Sequence, residues 1–268
     1  MVSPSTIAQR EWHRYTPRQR RLRFASWLAF VAVAVWSVSQ VNIVWPWLFD
    51  APQAMGDLFG RMVPPDFSRL DAIVLALLET LNIATIATIL AIVLPLPVAY
   101  IAAQNTTPNR AFLWLGRFIL VSSRSVNTLI WALLFVAIFG PGVMAGILAI
   151  TFRSVGFLGK LLGEAIEEID RKPVEAIEAT GASRAKVILY AIVPQVVPTF
   201  FAVSILRWDI NLRESTVLGI VGAGGIGLLL QGAIDTFAWQ TVAAILLAIV
   251  VLVLAGEALS GWLRSKSI

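Results

Sequence analysis

The chain has 268 residues, of which 58% are hydrophobic and 14% charged, with a net charge of +5. An ordinary soluble domain carries about 25% charged residues, and a disordered chain needs low hydrophobicity and high charge, so both classes are excluded. With a mean hydropathy of +0.80, the missing aqueous surface has to be replaced by lipid, and the expected fold class is an all-α integral membrane protein.

Cysteine is absent and His13 is the single histidine. Disulfide frameworks, thiolate nucleophiles, histidine triads and histidine metal sites therefore have no material. A span needs about 20 apolar residues, and about six such stretches are found. The first covers residues 24–44 after the basic run Arg18 to Arg23; it is too long and Trp-rich for a typical cleaved signal. Trp45 and Trp47 close it, where aromatic rings favour the membrane interface.

Residues 50–71 are polar and hold Pro52, Pro64 and Pro65, which predicts an exposed loop. The second span, residues 80–103, contains Pro95 and Pro97 and is expected to kink there, because each proline forfeits a backbone hydrogen bond. The third, residues 112–139, is interrupted at Ser122-Ser123-Arg124-Ser125. The fourth, residues 143–163, follows only Gly140-Pro141-Gly142. A polar loop covers residues 164–193. The fifth span begins near Pro194, and the sixth covers residues 241–262.

Six spans put both termini on one side. Cytoplasmic segments carry excess Lys and Arg. The leader (Arg10, Arg14, Arg18, Arg20, Arg21, Arg23) and the segments with Arg110, Arg171, Lys172, Arg184, Lys186, Arg264 and Lys266 are therefore expected inside. The outer loop holds only Arg61 and Arg69 against four aspartates. The basicity is thus topological, and nucleic acid is not an expected partner. The organisation expected is a leader with first helix (1–48), an outer loop (49–78), a membrane domain (79–260) containing the cytoplasmic loop 164–193, and a cytoplasmic tail (261–268).

Within that loop, Glu175-Ala176-Ile177-Glu178-Ala179-Thr180-Gly181 predicts a charged helix stopped by glycine. Re-entry into the membrane at Pro194 suits a helix first turn. Glu175, Ala176, Gly181 and Pro194 carry a resemblance to the EAA loop of bacterial ABC-importer membrane subunits. Arg207 to Gly227, with Leu129-Ile130-Trp131-Ala132-Leu133-Leu134-Phe135 and Leu158-Gly159-Lys160-Leu161, looks like phosphonate importer permeases over roughly residues 79–259.

That resemblance implies a type I importer permease fold and a homodimer in the bacterial inner membrane. It implies two ATPase subunits holding ATP and magnesium, with no cofactor in this chain, and a periplasmic binding protein. The loop would be the coupling helix. The cargo implied is phosphonate, phosphite or hypophosphite, with methionine or phosphate as rival cargoes. An ion-coupled transporter is the rival of another class. No Gly-x-x-x-x-Gly-Lys-Ser/Thr occurs, so the chain itself is not expected to hydrolyse ATP.

Gly222, Gly224 and Gly227 match a dinucleotide fingerprint, but the acidic residue such a site needs is missing between Asp235 and Glu257. With Gly225 they are instead expected as packing, hinge or gate positions, with direct substrate contact as the alternative. Charges at membrane depth cost about 2.5–3.5 kcal/mol on insertion scales and are functional candidates. Arg124, Arg153, Arg207, Asp209, Arg213 and Glu214 are such residues, and the neutral but polar Asn211 stands among them. If helical, Arg207, Asn211 and Glu214 share one face, and Asp209 and Arg213 another, where they can pair. Two readings stand for the arginines: a water-filled path offering guanidinium to an oxyanion, or interhelical ion pairs that hold the bundle.

Overall fold

A computed structural model describes residues 15–41 and 44–267. His13, Arg10 and Arg14 of the basic leader lie outside the described residues. The chain divides into two compact units, residues 1–57 and 58–268.

In the first unit, α1 (Pro17–Gln40) starts at a capping box, in which Thr16 and Gln19 bond each other's backbone. Its apolar side chains, among them Trp27, Phe30 and Trp36, are exposed. In a span, that surface faces lipid or another chain.

The predicted loop at residues 50–71 is a correction: α2 (Trp45–Met62) occupies most of it, with Pro52 inside. Leu48, Pro52, Met55, Phe59 and Met62 recur at helical spacing opposite Asp50, Gln53, Asp57 and Arg61. That is the pattern of an interfacial amphipathic helix, and it outweighs the one amide bond Pro52 forfeits. Between α2 and α3, Asp66 accepts from the Ser68 N–H at 2.8 Å and the Ser68 hydroxyl at 3.0 Å, which holds its carboxyl below the usual range.

The second unit continues with α3 (Leu70–Val93), α4 (Pro95–Ala102), α5 (Arg110–Ser125), α6 (Thr128–Phe139) and α7 (Val143–Glu167). The helices α8 (Arg171–Glu178), α9 (Arg184–Val187), α10 (Val193–Leu218), α11 (Ile226–Asp235) and α12 (Trp239–Ser267) follow. Among the described residues, five helical runs are long and apolar enough to cross a membrane, or six if α5 and α6 form one span.

Pro95 breaks the second predicted span and opens a new helix, as its ring requires. The third span is also corrected: α5 and α6 meet at 90°, and the break falls at residues 126–127, just past the expected Ser122–Ser125 interruption. Asn127 caps α6 by accepting from Leu129 N–H at 3.0 Å. Pro194 does stand in the first turn of α10, as expected, but the fifth span begins earlier. A continuous run of 38 residues extends from Arg184 to Val221. A π-turn at Ile188–Ile192 widens the helix where the Pro194 ring would meet a carbonyl.

Helix α7 is the hub, touching α3, α4, α5, α6 and α10. Lipid tails give helices no hydrophobic reason to associate, so small residues that permit close approach hold such bundles. Ala84, Ala87 and Ala91 of α3 are buried, as are Ala145, Gly146 and Ala149 of α7. A Cβ on Gly156 would lie 2.6 Å from the Leu120 carbonyl oxygen, so α5 and α7 cross at a distance only glycine allows.

Candidate functional site

The i, i+4, i+7 spacing of Arg207, Asn211 and Glu214 puts all three on one face of α10, and the structure joins that face to three other helices. Arg207 is 2% exposed. Its Nε donates to Ser154 Oγ at 2.8 Å, and its Nη2 lies 3.4 Å from Glu214 Oε2. Ser154 Oγ donates to Asn211 Oδ1 at 3.1 Å, and Asn211 Nδ2 donates to Thr88 Oγ1 at 2.8 Å. From α6, Thr128 Oγ1 donates to Glu214 at 2.7 Å and accepts from Arg153 Nη1 at 2.8 Å. Arg153 stands 3.7 Å from Glu214 Oε1.

Two guanidinium groups therefore share one carboxylate, and the cluster carries a surplus positive charge. Burial of so many polar atoms is tolerable because each has a partner. The Arg207 guanidinium also lies 5.2 Å from the centroid of the Phe157 ring. Exposure separates the two cations: the Arg153 side chain is 31% exposed, whereas Arg207 is sealed.

Asp209 and Arg213 form an ion pair on another face of α10. Asp209 Oδ1 is buried with no hydrogen-bond partner among the described residues. Arg124 is not brought into the network. It is exposed in the last turn of α5, because the chain turns sharply two residues later. Thr128, Ser154 and Thr88 escaped sequence reasoning. A hydroxyl inside an apolar helix looks the same whether it bonds its own backbone or a neighbour.

At the other end of the bundle, α8 begins at Asp170, whose side chain caps Lys172 N–H at 3.0 Å. Only Val174 and Ile177 of α8 turn partly inward, leaving Glu175 and Ala176 exposed. Gly181 ends the element with φ +74°, a conformation that favours glycine. Pro194 lies in the first turn of α10. Two clamps went unnoticed in the sequence. Gln195 exchanges hydrogen bonds with the Asp170 backbone, and Arg184 Nη2 donates to the Thr106 carbonyl at 2.7 Å.

The glycine stretch is packed. Gly222, Gly224 and Gly225 have φ of +84°, +82° and +74°. Gly225 N–H donates to Glu79 Oε1 at 2.9 Å, and Ile226 N–H donates to Thr80 Oγ1 at 2.8 Å, so α3 caps the start of α11. A Cβ on Gly227 would lie 2.4 Å from the Thr216 carbonyl oxygen. The preceding residues 217–221 end α10 in a 3-10 turn and form no strand, so a dinucleotide site has no frame here. Among the described residues, no group of three or more His, Cys, Asp or Glu side chains is placed to hold a metal ion.

Comparison with known proteins agrees with this architecture. Residues 95–267 match the family model for the binding-protein-dependent transport system inner membrane component. The phosphite transport system permease protein PtxC of Stutzerimonas stutzeri is 42% identical over 234 residues, covering 87% of this chain and 84% of that protein. The phosphate-import permease protein PhnE of Mycolicibacterium smegmatis is 39% identical over 237 residues, covering 87% of this chain and 44% of that protein. Among solved structures, an inward-facing MetNI methionine ABC transporter matches with TM-score 0.62 and 21% identity, covering 73% of this chain and 96% of the other. The chain belongs to the binding-protein-dependent transport system inner membrane components, the permease subunits of ABC importers, which work with a separate ATPase.

Proposed function

We propose that this permease imports phosphonate or a related reduced-phosphorus oxyanion such as phosphite or hypophosphite. The observation that carries the reading is the 42% identity to a phosphite permease over 84% of that protein's length. The surplus positive charge around Arg153, Arg207 and Glu214 suits an anionic cargo on chemical grounds.

The working assembly in this reading is a homodimer in the bacterial inner membrane, with both termini cytoplasmic. Two ATPase subunits carrying ATP and magnesium lie beneath it, and a periplasmic binding protein docks above. Helix α8, presenting Glu175 and Ala176 and ended by Gly181, sits in a groove of the ATPase. Closure of the ATPases pushes α8, and the push reaches α10 at its first turn, where Pro194 and Gln195 lie. The route then opens outward to the loaded binding protein, and hydrolysis resets it inward. Arg153 meets the anion, with Arg124 further along. The pair Asp209–Arg213 and the group Arg207–Asn211–Glu214 hold α10 in place. Gly222, Gly224, Gly225 and Gly227 let α11 pivot against α3 and α7.

Phosphate is the second reading, favoured by the 39% identity to a phosphate-import permease. The complex, reconstituted with its ATPase and binding protein in liposomes, is tested for ATPase stimulation. The panel is methylphosphonate, 2-aminoethylphosphonate, phosphite, phosphate and methionine. Stimulation by a phosphonate or phosphite supports the proposal. Stimulation by phosphate alone selects the second reading, and stimulation by methionine alone refutes both.

A further inference from the structure

Helix α5 carries Arg110, Arg117 and Arg124 at a seven-residue spacing. Such a repeat drifts only about 20° per heptad, so the three form a stripe about 21 Å long. On one side of the stripe, Gly116, Leu120 and Ser123 are buried against the bundle. On the other, Trp114 and Phe118 are exposed at 73% and 69%. The stripe therefore follows the edge of the α5–α7 contact.

Across that edge α7 presents Lys160, Glu164 and Glu167, and the two helices, with Ala102 of α4, line a half-open cavity of about 310 Å³. Gly159 and Gly163 form part of its wall. Arg117 pairs with Glu167 at 3.0 Å, and Lys160 with Glu164 at 3.2 Å. Arg124, which also lines the cavity, has no ion-pair partner among the described residues. Three cations thus face two carboxylates, and the cavity carries one surplus positive charge.

One end of this cavity approaches the central network. Ser123, beside Arg124, bonds the carbonyl of Phe152, beside Arg153. The other end lies at the coupling loop, where Glu167 accepts from Gln104 N–H at 2.7 Å and Arg184 holds Thr106. The four paired side chains are between 31% and 46% exposed. Ion pairs at that exposure exchange readily and are worth about 0–1 kcal/mol.

We propose that the α5–α7 cavity is a transient binding site for a tetrahedral phosphorus oxyanion on the cytoplasmic half of the route. Arg124 is the standing contact, and Lys160 and Arg117 leave their carboxylates to join it. The site rests on the reading of the cargo as such an anion. Carboxylates that compete for the cations keep binding weak, as release requires. A lipid phosphate headgroup has the same chemistry, so the test separates the two sources.

The complete transporter is reconstituted in phosphatidylcholine vesicles with ATP enclosed, so that only molecules with their ATPase inside turn over. Phosphite uptake is then measured against phosphite preloaded in the lumen. Lys160→Gln removes the charge surplus and should raise the half-inhibiting lumenal concentration about fivefold; Glu164→Gln enlarges the surplus and should lower it about fivefold. The double variant restores the charge balance and should return near wild type.

Equal shifts in both single variants would assign Lys160–Glu164 to structure and overturn the site. A wild-type value that rises when phosphatidylglycerol is added would assign the cavity to lipid and overturn it as a cargo site. A wild type that imports no phosphorus oxyanion at all defeats the cargo reading, and the site with it. That outcome differs from intact phosphite import with insensitive variants, which defeats the site alone.

Discussion

Gln195 and Asp170 exchange two hydrogen bonds. The Asp170 N–H donates to Gln195 Oε1 at 2.9 Å, and Gln195 Nε2 donates to the Asp170 carbonyl at 3.2 Å. Asp170 is also the cap of α8, so one side chain on α10 fixes the starting point of α8, the helix proposed to couple to the ATPase. In the proposed mechanism, a push on α8 reaches α10 through these two bonds before it travels around the loop.

Gln195→Ala should therefore uncouple the machine without dissolving it. The substitution removes these two bonds and a third, which Gln195 Nε2 donates to the Ala191 carbonyl at 2.8 Å; at about 1.5–4.5 kcal/mol in all, the loss is local and should leave the bundle folded. ATP hydrolysis should continue while cargo moved per ATP falls several-fold. Simultaneous measurement of uptake and hydrolysis in vesicles checks this. An unchanged ratio would place force transmission elsewhere.

Gly181 tests the other end of α8. Nothing lies within 4 Å of a Cβ built there, so only the backbone resists substitution. Gly181→Asn should be mild, since asparagine tolerates left-handed backbone, whereas Gly181→Val should cost about 1–2 kcal/mol and misplace the loop. Co-purification of the ATPase with each variant reads the difference. Equal retention would show that the turn geometry does not set docking.

The helices themselves were largely legible, because stretches with few charges and about 20 apolar residues leave few alternatives. The shared face of Arg207, Asn211 and Glu214 followed from spacing alone. What spacing cannot give is the partner on another helix. Thr128 from α6 and Ser154 from α7 complete the network across sequence separations of 86 and 53 residues. Prolines misled in both directions. Pro52 suggested a loop where amphipathic periodicity prevailed, and Pro194, which does open α10, suggested a span start where a π-turn joins α10 to the residues before it. The α5–α6 break was signalled by Asn127-Thr128, a capping pair, more than by the serines before it.

Among the described residues, Glu214 is the sole carboxylate between Arg153 and Arg207. Glu214→Gln keeps the shape but leaves two guanidinium groups without a counter-charge, and breaking a buried pair in this way costs about 3–5 kcal/mol. The variant should lose several degrees of thermal stability in detergent, measured by the temperature at which the monodisperse peak disappears. Arg153→Gln removes the more exposed cation and leaves Arg207 and Glu214 balanced. It should keep the stability and lose uptake. Both variants falling together in stability would make Arg153 a bundle residue and withdraw it from the route.

Two glycines on α11, five residues apart, separate close packing from mere helix composition. At Gly227 a Cβ would meet the Thr216 carbonyl oxygen at 2.4 Å and the Gly219 backbone at 2.9 Å; at Gly232 it would meet nothing within 4 Å. Backbone atoms on both sides of Gly227 cannot swing away as a side chain tip does. Gly227→Ala must therefore push α11 off the end of α10 and strain the caps from Glu79 and Thr80. Gly232→Ala places a better helix former in an open position, worth up to about 1 kcal/mol. Thermal unfolding should show a clear loss for the first and no loss for the second. The first should also reduce uptake more than its stability alone explains, because α11 is seated by the loop proposed to pivot. If Gly227→Ala transports normally, the glycine loop has no tight geometry to defend and its hinge assignment fails.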